Sequence, residues 1–290
     1  MDTIGYLGRG ILHEEYGMPC QDAAACRSMD NGNRVWALSD GAGSAEFAQE
    51  AAWGNIEGLM GFFEAHPLEQ ILAWPEGQLR EEIISSCVCA LARNPEIFAD
   101  RPWHFSATLL FFAWDGCRWA AGHLGDGFMM ILDRKQEVLV CSEPENRGAD
   151  NQTYFTVSED APEHLRIYTG EEQLPAQLLM VSDGPCAMFR TRHGSLPSAA
   201  EELLGYARGE EITSDDTLSE VLDQMNYYAY DRRDDWSVLI WRDGADYAAA
   251  LPWPVRSMLD QERKKQNENC GREHHGSERA HEGAGAELPE

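Results

Sequence analysis

The stretch Val35-Trp36-Ala37-Leu38-Ser39-Asp40-Gly41-Ala42-Gly43-Ser44 runs from apolar residues into a serine and an aspartate, then through glycines into a long amphipathic segment. Read physically, it is a buried strand, a carboxylate at its end, a tight turn and a helix start. A carboxylate delivered by a rigid strand onto a turn is well placed to hold a cation or to act in catalysis. Asp-Gly is also a common turn dipeptide, so this stretch alone leaves a simple turn open. The same frame returns at Met180-Val181-Ser182-Asp183-Gly184, which makes a simple turn harder to sustain. Three more aspartates stand at strand ends or beside glycine: Asp22 in Cys20-Gln21-Asp22-Ala23, Asp126 in Gly125-Asp126-Gly127, and Asp234 in Asp234-Asp235-Trp236. Carboxylates converging from several strands are the hard oxygen ligands that Mg²⁺ or Mn²⁺ prefers. Such a cluster repels itself unless cations neutralise it.

The flanking sequence supplies the frame. Ile4 to Leu12 reads as a strand broken by glycines, and His13 to Gln21 as a loop. Asp22 to Cys26 and Arg34 to Ser39 read as two strands joined by the turn Asp30-Asn31-Gly32-Asn33. Ser44 is placed to cap a helix that carries Ala48, Ala52, Ile56, Leu59, Met60 and Phe63 at helical spacing. A second helix is expected over about residues 76–93. Strands are expected over 106–114, 117–124, 128–132, 137–141, 153–158, 164–169 and 177–182, with a polar loop at 143–152. Two further helices are expected, one opening on the capping box Ser198-Ala199-Ala200-Glu201 and one over about 216–228. A last strand covers 236–241. Strands and helices in blocks, rather than in strict alternation, predict an α+β layered domain. From about Ser257 the chain turns polar and almost free of aliphatic residues. The expected division is therefore a folded domain over 1–256 and a disordered tail over 257–290.

Composition narrows the function. The 290 residues include 50 acidic and 23 basic ones, a net charge of -27. That surface argues against a nucleic-acid partner, which needs a basic face. It suits divalent cations and basic partners, and it equally reads as a surface whose main work is to keep the protein soluble. The eight cysteines show no zinc-knuckle spacing. Cys87, Cys117 and Cys141 lie in apolar runs and are expected to be buried free thiols, which points to a reducing, cytoplasmic setting. The first residues lack the basic and apolar regions of a signal peptide, and no run approaches the roughly 18 apolar residues of a membrane span.

The order of the acidic motifs resembles the metal-dependent Ser/Thr protein phosphatases of the 2C (PPM) type, in particular their compact bacterial-like branch. The likeness covers about Gly5 to Trp241. It rests on Gln21-Asp22, Asp40-Gly41-Ala42-Gly43, Phe105-Ser106-Ala107-Thr108-Leu109, Gly125-Asp126, Ser182-Asp183-Gly184 and Asp234-Asp235-Trp236-Ser237-Val238, in the family's order. The resemblance implies a four-layer αββα sandwich of two antiparallel sheets flanked by helix pairs. It also implies hydrolysis of phosphoserine or phosphothreonine at a centre of two Mn²⁺ or Mg²⁺ ions, with a place for a third, weaker ion. Two ions about 4 Å apart activate a water and hold it in line with the phosphorus. By the resemblance, Asp40 bridges the two ions, the Gly41 carbonyl reaches one of them, and Asp183 and Asp234 complete the second. Asp126 matches the position that helps hold the third ion, and Asp22 acts through water. No phosphoenzyme is needed, so Cys20 is read as packing.

Two positions depart from the pattern. Gly17 stands where many relatives carry the arginine that grips the substrate phosphate, and Ala42 where many carry a histidine near the leaving group. Arg9 or His13 is the candidate replacement for the arginine. A metal-bound water, His13 or His123 is the candidate source of the leaving-group proton. The implied partner is a phosphorylated protein, the target of a cognate bacterial Ser/Thr kinase, with no nucleic acid and no membrane. The departures leave a second reading open: a phosphatase-fold module that binds phosphoproteins or regulates without turnover.

Overall fold

The computed structural model describes residues 2–92, 95–148, 152–171, 174–186, 198–208, 217–218, 220–222 and 234–243. In chain order its strands are β1 (Asp2–Gly8), β2 (Ala23–Ser28), β3 (Arg34–Ser39), β4 (Leu109–Trp114), β5 (Trp119–Leu124), β6 (Phe128–Asp133), β7 (Val138–Ser142), β8 (Arg166–Gly170), β9 (Pro175–Val181) and β10 (Trp236–Arg242). The helices are α1 (Ile11–Glu15), α2 (Ala48–Ala65), α3 (Leu68–Ile71), α4 (Glu76–Leu91), α5 (Pro95–Asp100), α6 (Ala161–His164), α7 (Asp183–Cys186) and α8 (Ser198–Arg208). The strands form two antiparallel sheets, one in the order β1-β10-β9-β6-β7 and the other β2-β3-β4-β5-β8.

The sheets pack face to face through an aromatic core. Trp36 of β3, Phe112 of β4 and Trp241 of β10 meet with ring centroids 4.9 to 5.7 Å apart, within the range of favourable aromatic pairs. Leu38, Leu110, Met129, Ile131, Leu178 and Met180 fill the same layer. The second sheet is covered outside by α2 and α4, whose Ala51, Phe63, Ile83 and Cys87 pack with Ala37, Phe111 and Ala113. The first sheet is covered by α8, whose Leu203 and Leu204 pack with Met130, Leu179 and Ile240. A helix layer outside each sheet explains why β4, β5, β6 and β9 are buried along their whole length instead of alternating. The arrangement is the expected αββα sandwich.

Several local expectations are corrected. β1 stops at Gly8, and residues 11–15 are helical rather than strand and loop. The Gly10 amide and the His13 ring both bond to Asp235, which turns the chain off the sheet. Ser44 does not cap α2. The helix starts at Ala48, where the Phe47 amide donates to the His104 carbonyl at 2.9 Å and the Phe47 ring stacks on Phe105. A tertiary anchor, not a side-chain cap, sets that boundary. Residues 153–158 form no strand; Thr153 makes a single bridge to Asn146, and the Thr156 amide donates to the Ala107 carbonyl. His164 ends α6 rather than opening β8. Cys87 is buried, but Cys117 is exposed at a turn and Cys141 is only half-buried. Of the helix expected over 216–228, residues 217–218 and 220–222 are helical; the rest, and the expected boundary and tail at 256–290, lie outside the described residues. No helix among the described residues is long and apolar enough to cross a membrane.

Candidate metal centre

Strand register brings the aspartates together. Ala23 of β2 pairs with Ser39 of β3, so Asp22 and Asp40 sit beside each other just past the paired ends. Val181 of β9 pairs with Phe128 on one side and Val238 on the other. Asp126, Asp183 and the Asp234-Asp235 pair therefore leave the first sheet at a common end. The Asp183 amide approaches Asp40 Oδ2 at 3.4 Å, joining the two sheets at that end.

Asp40 is held by its backbone. Its amide donates to Thr108 Oγ1 at 3.0 Å, and its carbonyl accepts from the Thr108 amide at 2.8 Å. Ser39 Oγ donates to the Thr108 carbonyl at 2.5 Å. Beneath them lies Asn55, buried on α2. Its Nδ2 donates to Ser39 Oγ and to the Thr108 carbonyl, each at 3.3 Å, and its Oδ1 accepts from Thr156 Oγ1 at 2.8 Å. One side chain thus ties α2, β3, β4 and the segment around Thr156 under the carboxylate. Two glycines make the close approaches. A Cβ on Gly41 would lie 2.4 Å from the Ala48 carbonyl oxygen, and one on Gly184 would lie 2.0 Å from that of Asp235. No side chain fits at either position.

The electrostatics follow from the convergence. Asp22 is buried, and neither carboxylate oxygen has a donor at hydrogen-bonding distance among the described residues. Burial pushes Asp22 up to about 7, partly offset by the nearby Ser237 hydroxyl and reinforced by Asp235 and Asp183. Burial, then Asp183, pushes Asp126 up to about 7. Burial holds Asp40 well above the usual carboxylate range, with Asp22 and Asp183 adding to it. Asp183 is raised by burial and by Asp234 and Asp235, although its contact with Asp40 lowers it. The charged groups that act most on these four are other carboxylates. Carboxylates in that setting hold protons or cations.

Hard oxygen donors of one charge fit Mg²⁺ or Mn²⁺. Among the described residues no three acidic, histidine or cysteine side chains stand close enough to close a ligand cage by themselves. Mg²⁺ commonly keeps several waters and takes one or two carboxylates, so a loose acidic cluster suits it.

The other candidates fall around this cluster. Asp234 is exposed, and its Oδ1 accepts from the Asp235 amide at 2.9 Å. His13 is buried, with Nδ1 2.9 Å from Asp235 Oδ1. Arg9 lies on the surface, its Nη1 3.4 Å from the Met18 carbonyl and its Nη2 3.9 Å from Glu14. His123 is fully buried, with Nδ1 2.8 Å from Ser142 Oγ; burial and Arg166 keep its ring well below the usual histidine range. The Cys20 thiol is pushed up to about 12 by burial and by Asp22 and Asp235, which leaves it a poor nucleophile.

Sequence reasoning missed Asn55 and Asp235. Asn55 had a signal, a lone amide on the apolar face of α2. Asp235 is the hub of the N-terminal contacts: it accepts from the Gly10 amide at 2.7 Å and the Gln21 amide at 2.6 Å, besides meeting His13. Nothing in Asp234-Asp235 says which carboxylate turns inward.

The molecule is thus an α+β sandwich with carboxylates from both sheets gathered at one end. The chain belongs to the Protein phosphatase 2C family, whose profile matches residues 9–223. No curated protein matches the chain. Its fold is shared by the Staphylococcus aureus serine/threonine phosphatase Stp1, with a TM-score of 0.58 and 16% identity over 84% of this chain and 96% of that one. A mutant of a bacterial serine phosphatase gives a TM-score of 0.59 at 16% identity, over 85% and 99% of the two chains. RsbX in complex with magnesium gives 0.50 at 14% identity, over 82% and 92%.

Proposed function

We propose that this protein is a Mn²⁺- or Mg²⁺-dependent phosphatase acting on phosphoserine or phosphothreonine in a protein. One observation carries the reading: aspartates from both sheets meet at one end of the sandwich, where burial and the neighbouring carboxylates push Asp22 up to about 7. When bound, the divalent ions supply a water of lowered pKa and offset charge on the phosphoryl oxygens. Asp40, the Gly41 carbonyl, Asp183 and Asp234 would hold two ions, and Asp126 would help hold a third. Asp22 would accept a hydrogen bond from water at the cluster and orient it. Arg9 is the residue assigned here to the substrate phosphate, since His13 is engaged by Asp235. With His123 enclosed between the sheets, the leaving-group proton comes from water.

The reading extends to a cytoplasmic role opposite a Ser/Thr kinase, with scattered cysteines of no zinc-knuckle spacing as its support for a reducing setting. The competing reading, a phosphoprotein-binding module without turnover, is favoured by Gly17 and Ala42 alone. Titration calorimetry with Mn²⁺ tests the ligand set. Wild type should give saturable binding, and Asp183→Asn should weaken it by about tenfold or more, roughly the 1.4 kcal/mol of one lost charged contact. Equal affinity in the two proteins would remove Asp183 from the site.

A further inference from the structure

The helix α1 is tied to the acidic centre on one side and bare on the other. Gly10 and His13 bond to Asp235, which acts on both Asp22 and Asp183. The inward side of α1 therefore adjoins the site. Its outward side presents Ile11 at 45% exposure and Leu12 at 40%, and Tyr16, the residue that ends the helix, is 75% exposed. Leu12 and Tyr16 stand four residues apart, one above the other on the helix. Tyr16 is the most exposed large apolar side chain among the described residues. Single exposed apolar residues need no explanation, but three within six residues of one short helical segment are the pattern of an interaction surface. The surroundings are acidic on balance: Glu14, Glu15 and Asp234 are exposed against one cation, Arg9, whose Nη2 lies 3.9 Å from Glu14, on a chain of net charge -27.

We infer that the outward face of α1 docks the phosphoprotein substrate, taking an apolar side chain next to the phosphorylated residue from a segment that also carries lysine or arginine. The phosphorylated residue in this statement rests on the phosphatase reading. The occupant follows from position and charge. The same segment bonds through Gly10 and His13 to Asp235 beside the carboxylates, the apolar side chains need an apolar partner, and the acidic surround needs a basic one. A second copy of this chain would bring -27 against -27, and an anionic membrane would be repelled in the same way.

Two labelled phosphothreonine peptides of equal length and charge test this, one flanked by leucine and lysine, the other by glycine and lysine. Binding is read by fluorescence anisotropy, with p-nitrophenyl phosphate hydrolysis as a small-substrate control. Wild type should bind the leucine–lysine peptide about tenfold more tightly than the other. The triple variant Ile11→Ser, Leu12→Ser, Tyr16→Ser should lose that preference and still hydrolyse p-nitrophenyl phosphate at the wild-type rate. Tyr16→Ala, a single change at an exposed side chain, should lose part of the preference with an unchanged thermal midpoint. Equal binding of both peptides by wild type, or a preference kept by both variants, overturns the docking surface. A preference that the variants lose, with no hydrolysis of any substrate, upholds the docking surface and contradicts the phosphatase reading.

Discussion

Asp22 carries the clearest single-residue consequence. Its carboxyl is raised from 3.8 to about 7 in the fold. Below the lower value it is protonated in both the folded and the unfolded chain, so its contribution to stability is fully present. As pH rises the unfolded chain ionises first, and the contribution is lost through about 7. Metal-free wild type should therefore lose stability relative to Asp22→Asn over that interval, as read by urea denaturation along a pH series. A parallel pH dependence in the two proteins would contradict the assignment. Glycine neighbours and strand ends made Asp22, Asp40, Asp126, Asp183 and Asp234 legible as candidates. Asp235 was not legible, because a side chain's direction at the entry to β10 depends on the pairing of β10 with β1, a contact between the two ends of the domain.

At the scale of elements, the site depends on turns that admit only glycine. Gly184 packs its α-carbon against the Asp235 backbone at the start of β10. Gly184→Ala should push α7 away from β10, displace Asp183, and cut metal-dependent hydrolysis by about tenfold or more, roughly 1.4 kcal/mol of transition-state stabilisation. Circular dichroism should still show a folded chain, and wild-type turnover would show that the contact does not set the position of Asp183. Most strands were readable from apolar runs bounded by turns, because both faces of the central strands are covered. The start of α2 was not readable, since the Phe47–Phe105 stack that fixes it joins residues far apart in sequence. Residues 153–158 have strand-like composition, yet they are held by single contacts to Ala107 and Asn55 instead of a ladder.

At the scale of the whole molecule, two sheets bring together carboxylates that the sequence spreads from Asp22 to Asp234. The block order of strands and helices was sufficient to predict layers. The pairing of β1 with β10 and the crossing from β6 to β9 are long-range facts that no local pattern states. The whole chain carries a net charge of -27, and at one end of the sandwich buried carboxylates gather with other carboxylates as their strongest charged neighbours, a setting that favours protons or cations. The measurement that tests this most directly is phosphate release from a phosphothreonine peptide and from p-nitrophenyl phosphate, with and without Mn²⁺, on wild type and Asp40→Asn side by side. The account predicts release that requires both the metal and Asp40. Release by Asp40→Asn at the wild-type rate, or none by wild type from either substrate at saturating Mn²⁺, would contradict it.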